Sequence, residues 1–281
     1  MIHGAVLFVL TLCINSKDGL GLKSPILGVP FSEPNEKWNG KWFPYSPMDD
    51  GNNVIPSNIE MTQKHIQMGV ISDDCDNGKD NITVDWNDSP INYTCFDKKS
   101  LYLPNIDVQP IEVAYNIPKE YAAMHECMNT TITYNYPIPT FGPHRPLWPK
   151  YGEYLFVPVQ RWLHNLEHGA IVMLYHPCAN VRETEYLKEI VKNCLYRHII
   201  TPYTLLTMDR PLALLAWGHS LEMSKVDTAT VINFIRRRAL QGPERISRDG
   251  DYDHKLVNPA KVVSDQEDSD LCIGIRSKEW F

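Results

Sequence analysis

At 281 residues with a 43% hydrophobic fraction, the chain can bury one large core with extensions. Its net charge of −7 argues against a general nucleic-acid binder, which needs a basic stripe to displace phosphate counterions. Mean hydropathy is −0.31, and no apolar run reaches the ~18 residues that a bilayer crossing needs, so no membrane span is expected.

The N-terminus MIHGAVLFVLTLCINS reads as a secretory signal over residues 1–18, with Ala5 to Cys13 as its apolar segment, although no Lys or Arg precedes it. Two further features point to export. Asn-x-Ser/Thr sequons begin at Asn81, Asn87, Asn92 and Asn129, the first three within fourteen residues, as on a glycan-bearing surface loop. With Cys13 removed, six cysteines remain: Cys75, Cys95, Cys127, Cys178, Cys194 and Cys272. An even count in an oxidising compartment implies up to three bridges. Cys75 with Cys95 is the expected local pair, because it would close one sequon-rich loop. A secreted or luminal glycoprotein follows.

Residues 19–108 form an irregular extension rich in proline, glycine and asparagine, without a sustained period. Its acidic stretch Asp73-Asp74-Cys75-Asp76-Asn77-Gly78 does not keep the EF-hand ligand spacing and reads as a solvated turn. A core domain over 109–244 is expected next. IEVAYN (111–116) and TTITYNY (130–136) are strand-like, and 136–158 is a stiff loop set with prolines and aromatics. A short helix over 159–168 should stop at Gly169, followed by the buried strand AIVMLYH (170–176). A helix over 181–197, strands over 197–203 and 210–218, and a helix over 228–240 capped by Asp227 complete the core. The basic run Arg236-Arg237-Arg238 belongs on the outer face of that last helix. Residues 245–281 read as a flexible polar tail. The fold class expected is α/β or α+β, a single mixed-sheet sandwich core with short helices.

RWLHNLEHGAIVMLY (161–175) carries the candidate chemistry. At about 100° per residue, Val159, Trp162, Leu163 and Leu166 share one apolar arc, while His164 and His168 lie together on the opposite side. The histidines therefore face solvent or a second, polar pocket. Histidines at i and i+4 can grip one metal ion, and His-x-x-Glu-His is the order in which a carboxylate can deprotonate a metal-bound water. Inverzincins, however, set this motif inside a long helix, whereas Gly169 and a strand follow at once. Trp148, Trp162 and Trp217 read as packing residues, and His176, His198 and His219 as partners in local hydrogen bonds. A disulfide at Cys127 is preferred over a soft-metal site with its neighbours His125 and Met128.

Residues 127–244 resemble the domain of unknown function 3105 family, and within it the animal branch. The resemblance rests on Gly142-Pro-His144, His164-x-x-Glu-His-Gly169, Ala216-Trp-Gly218 and the closing GPE (242–244), in family order. It covers a little under half the chain and implies an exported or membrane-anchored extracytoplasmic domain without an established activity. The shared Gly-x-His and His-x-x-Glu-His-Gly elements bring His144, His164 and His168 into the expected site. Animal relatives often add a C-terminal transmembrane helix; the lack of one favours a soluble, secreted form.

Three functions follow as expectations. The first is a copper or zinc site of His144, His164 and His168, with Met208 or Glu167 as fourth ligand; a thioether would tilt the choice to Cu(I). The second is a non-catalytic module that binds an extracellular or luminal protein, its His/Glu motif purely structural. The third is a metal-dependent hydrolase with Glu167 as general base. No P-loop, Gly-x-Gly-x-x-Gly or Gly-x-Ser-x-Gly pattern occurs, so no nucleotide cofactor is expected.

Overall fold

The structure is a computed structural model that describes residues 66, 68–273 and 275. The expected signal segment and the extension up to residue 65 lie outside the described residues. Seven strands build one mixed sheet: β1 (Ile111–Ala114), β2 (Gly152–Tyr154), β3 (Ile171–Tyr175), β4 (His198–Pro202), β5 (Leu212–Ala216), β6 (His219–Met223) and β7 (Leu256–Pro259). Their order across the sheet is β1-β6-β5-β3-β4-β2-β7. β3, β4 and β2 run parallel to their neighbours in that trio; every other pair is antiparallel.

The central strands are apolar on both faces because both faces are covered. Ile171, Met173, Ile200, Leu212 and Leu214 point into one layer with α2 (Val181–Cys194) and α3 (Thr228–Arg238). Val172, Leu174, Ile199, Ala213 and Leu215 point the other way, onto Trp162, Leu163 and Leu166 of α1 (Val159–Glu167). The two-residue period of β3 thus divides one hydrophobic run between two cores. Asn180 caps α2 by accepting from the amides of Arg182 and Glu183, and Asp227 caps α3 through the amide of Thr230. Arg237 and Arg238, on the outer side of α3, both grip Glu112 of β1.

Three expectations are corrected. TTITYNY is not a strand: the Thr130 carbonyl accepts from Arg145 at 2.8 Å and the Tyr134 hydroxyl donates to the Pro143 carbonyl at 2.8 Å, so side chains hold the segment rather than a ladder. The stretch after Gly242 does not lie free over its described part. β7 pairs with β2, the Asp268 carboxylate caps the amides of Tyr196 and Arg197, and Cys272 is bonded to Cys194. The acidic turn is not solvated throughout, because Asp76 is buried and pairs with Arg161 of α1.

The six cysteines form three bridges, with partners that correct the Cys75–Cys95 expectation: Cys75–Cys127, Cys95–Cys178 and Cys194–Cys272. All three span long separations, of 52, 83 and 78 residues, so they staple the extension and the tail onto the core. The asparagines at 81, 87 and 129 are exposed and Asn92 is half-buried, accepting from the Trp86 indole at 3.1 Å.

Candidate metal centre

α1 begins after Pro158 and ends at His168, whose amide still donates back to the His164 carbonyl. Gly169 then takes φ +83°, and a Cβ there would stand 2.8 Å from the Leu240 Cα. A residue with a side chain would meet both the left-handed backbone and that contact, so Gly169 is what lets the helix stop and β3 begin. The apolar face of α1 is spent on the sheet. Its polar face looks into a second buried space beneath the proline-rich loop, where His164 and His168 have no exposed surface.

Two strand-like segments line that space. The amide of His144 donates to the Met124 carbonyl at 3.0 Å, and the amide of Glu126 donates to the His144 carbonyl at 2.9 Å, which sets His125 beside His144. The neighbouring Arg145 is buried and spreads its guanidinium over Asp85 and the carbonyls of Glu126, Cys127 and Thr130. These bonds fix the loop as firmly as its prolines do.

The imidazoles are oriented by backbone carbonyls. His144 Nδ1 lies 2.8 Å from the Gly142 oxygen, and His164 Nδ1 lies 2.7 Å from the Arg145 oxygen. A carbonyl can only accept, so each Nδ1 carries a proton, and in the neutral ring Nε2 presents a lone pair. Carbonyl partners of this kind fix metal-ligating histidines. His144 Nε2 stands 3.0 Å from Glu167 Oε2, and His125 Nε2 stands 3.6 Å from the same oxygen and 3.1 Å from His144 Nε2. Four ligand atoms, from His125, His144, His164 and Glu167, all fall within 4.8 Å of one another. Tetrahedral zinc, with bonds of about 2.0–2.1 Å, would hold its ligands roughly 3.3–3.4 Å apart.

A second group joins His164 with His168 and Glu244, again within 4.8 Å. Glu244 arrives on the GPE segment, whose backbone hooks over the end of α1: the Glu244 amide donates to the Glu167 carbonyl at 3.1 Å and the Leu240 amide to the Gly169 carbonyl at 2.8 Å. Trp148 walls both histidines, its ring 4.8 Å from His164 and 4.4 Å from His168 between centroids.

Close approach here does not amount to hydrogen bonding. Glu167 Oε2 is near His144, and His168 Nε2 is 3.2 Å from Glu244 Oε2, yet none of Glu167 Oε2, His168 Nε2 and Glu244 Oε2 has a properly directed hydrogen bond among the described residues. His164 Nε2 and His168 Nδ1 are bare as well, so five of the ten such buried side-chain atoms sit in this one cluster rather than being scattered. Each unsatisfied atom costs about 1–3 kcal/mol. Clustered ligand atoms without directed partners in a largely buried space are what a cation would satisfy.

The electrostatics agree. Burial pulls the His164 imidazole well below its ordinary range, and the neighbouring histidines add to the effect. Burial likewise lowers His168, against the opposing pull of Glu244. Burial would raise the Glu167 carboxyl, but the adjacent His125 and His144 rings, 3.6 and 3.0 Å from Oε2, outweigh that and hold it at about 2. Neutral imidazole and ionised carboxylate are the forms that ligate. A cavity of about 320 Å³, lined in part by Tyr121, Trp217, Gln241 and Pro243, lies on the side where Tyr121 is raised by burial and by the charge of Glu167.

Of the residues expected from sequence, His144 and His164 meet with Glu167, while His168 meets His164 from the other side. Met208 is 51% exposed. His125 and Glu244 were missed. His125 stood in plain view beside Cys127, and Glu244 inside the closing GPE, but neither has a helical or strand period to aim it. Trp148 and Trp162 are fully buried, and His176, His198 and His219 each make a local backbone hydrogen bond.

Comparison with known proteins places this core. The chain is 34% identical over 68 residues to tumor protein p53-inducible protein 13 of Rattus norvegicus and, at the same identity and length, to that of Mus musculus. The match takes in 24% of this chain and 18% of either relative, so the chain spans about a fifth of the length of the curated relatives it matches. No solved structure matches. Among the described residues no helix is long and apolar enough to cross a membrane. Residues 125–250, which hold all six converging side chains from His125 to Glu244, match the family described as "Protein of unknown function (DUF3105)".

Proposed function

We propose that this domain binds a divalent transition metal through His125, His144, His164 and Glu167, and that it does so in the secretory pathway or outside the cell. The observation that carries the reading is the convergence of one ligand atom each from His125, His144, His164 and Glu167 within 4.8 Å in a largely buried space, with His144 and His164 oriented by backbone carbonyls. Three imidazoles and a carboxylate suit Zn²⁺ or Cu²⁺. Glu167 stands among the ligands, which supports a binding centre over a hydrolase whose base must stay off the metal. Three long-range disulfides and exposed sequons support the oxidising compartment.

The test is metal analysis of protein purified from a eukaryotic secretory host, beside a His125→Ala/His144→Ala variant. Zinc or copper near one ion per chain, lost in the variant, is expected. Folded wild-type protein without metal, its melting temperature unmoved by added Zn²⁺ or Cu²⁺, would overturn the reading.

A further inference from the structure

We propose that His168 and Glu244 form a second, outer seat for the same cation, which shares His164 with the inner seat and is the route by which the ion comes and goes. This rests on the metal-binding reading and extends it to exchange. His164 donates Nδ1–H to the Arg145 carbonyl at 2.7 Å, so only Nε2 is left to ligate. His164 nevertheless belongs to both convergent groups. One nitrogen lone pair binds one ion at a time. The two seats therefore exclude each other, and an ion passes between them by keeping its bond to His164 while its other ligands change.

The exchange balances without redox chemistry or proton transfer. Moving outward, the cation gives up His125, His144 and Glu167 and takes His168 and Glu244, one carboxylate charge replacing another. The outer set has one imidazole fewer and should hold the ion less tightly, as a transit position must. Exposure separates the two carboxylates: that of Glu167 is 5% exposed and that of Glu244 31%, while the His144, His164 and His168 side chains are fully buried and that of His125 is 14% exposed. Glu244 is thus the carboxylate of the set with most access to solvent. The GPE hook carrying it is bonded to the end of α1, so the outer seat is built by the fold rather than by a free tail. His168, its ring buried against Trp148, holds Nε2 3.2 Å from Glu244 Oε2, while its Nδ1 has no hydrogen-bond partner among the described residues.

The experiment loads the full chain with one equivalent of Co²⁺, follows its visible absorption, and times transfer to excess EDTA by stopped flow. Wild type is compared with Glu244→Gln, with Glu244→Asp as the conservative variant and Glu267→Gln as a surface control. The expected result is one ion in every protein, with release and loading both slowed roughly tenfold or more in Glu244→Gln and less in Glu244→Asp. Exchange unchanged in Glu244→Gln overturns the outer seat while the metal-binding reading stands. Two ions bound at once, or loss of the ion in a folded Glu244→Gln, also overturns it, the first by removing the exclusion and the second by making Glu244 a resting ligand. A wild-type protein that takes up no Co²⁺, Zn²⁺ or Cu²⁺ fails the metal-binding reading itself.

Discussion

Replacing Asp76 by leucine removes one half of the ion pair that fastens the N-terminal extension to the helix bearing the site. Asp76 is 2% exposed and Arg161 1%. The carboxylate accepts from both terminal nitrogens of Arg161, one of them at 2.9 Å, and also from the amides of Gly78 and Leu147 at 3.1 and 3.2 Å. Without it, the guanidinium keeps only the Leu147 carbonyl at 2.9 Å, the Met128 sulfur at 3.2 Å and the face of Tyr252 at 4.4 Å. Breaking a buried pair from one side costs about 3–5 kcal/mol, because the remaining charge is stranded. Most of that should return in Asp76→Leu/Arg161→Met, where both charges leave together. Urea unfolding with the disulfides intact measures it, and the single variant should shift the midpoint down by on the order of 1–2 M. Arg161 lies one turn before His164, so the single variant should also weaken metal retention. A single variant costing under about 1 kcal/mol, or a double variant no better than the single, would refute the view that this pair locks α1 in place.

Other outcomes follow from the same contacts. His198 is fully buried, and burial first of all lowers it to about 4, so the fold favours its neutral form; its contribution is complete above the unfolded value of ~6.5 and is lost as pH falls through about 4, roughly 3 kcal/mol in all. Stability measured across that window should fall less steeply in His198→Gln than in wild type. Cys194→Ser/Cys272→Ser opens a bridge of separation 78 and should cost about 4 kcal/mol, with limited proteolysis newly cutting between residues 245 and 272. In Gly242→Ala the new Cβ would stand 2.1 Å from the Glu167 carbonyl oxygen, so the hook must shift; a loss of about 1–3 kcal/mol in urea unfolding and altered Co²⁺ exchange are expected.

The parts of the fold that were legible are those whose burial is periodic. β3, β4 and β5 announce themselves as apolar runs, and α2 and α3 carry caps and one-sided stripes, so their existence and order could be read directly. β2 and β7 could not. They are short and lie at one side of the sheet, β2 pairing with β4 and with β7, and β7 finding β2 across about a hundred residues. β7 has no buried residue, and so no alternation to read. The disulfides failed for a related reason: a local loop is the cheaper closure for a chain considered alone, but the folded core brings distant cysteines together at no further entropic cost.

The site shows the same division more sharply. The helix period was enough to say that His164 and His168 turn away from the sheet, and the GPHRP loop was stiff enough to mark His144 as a delivered group. What periodicity could not supply was depth. Polar residues opposite an apolar stripe ordinarily meet water; here a second layer, held down by Arg145 on Asp85 and Arg161 on Asp76, closes over them. That cover consists of residues from the extension and the proline loop, none of which has a regular element to announce its direction. It also brings His125 in, through one strand-like bridge to His144, while the GPE hook brings Glu244. The buried arginines thus do more than stabilise. By roofing a histidine pair that would otherwise be wet, they turn an amphipathic helix into one wall of a closed polyvalent cluster, and the cost of leaving that cluster's lone pairs unsatisfied is the strongest physical reason to expect a cation among them.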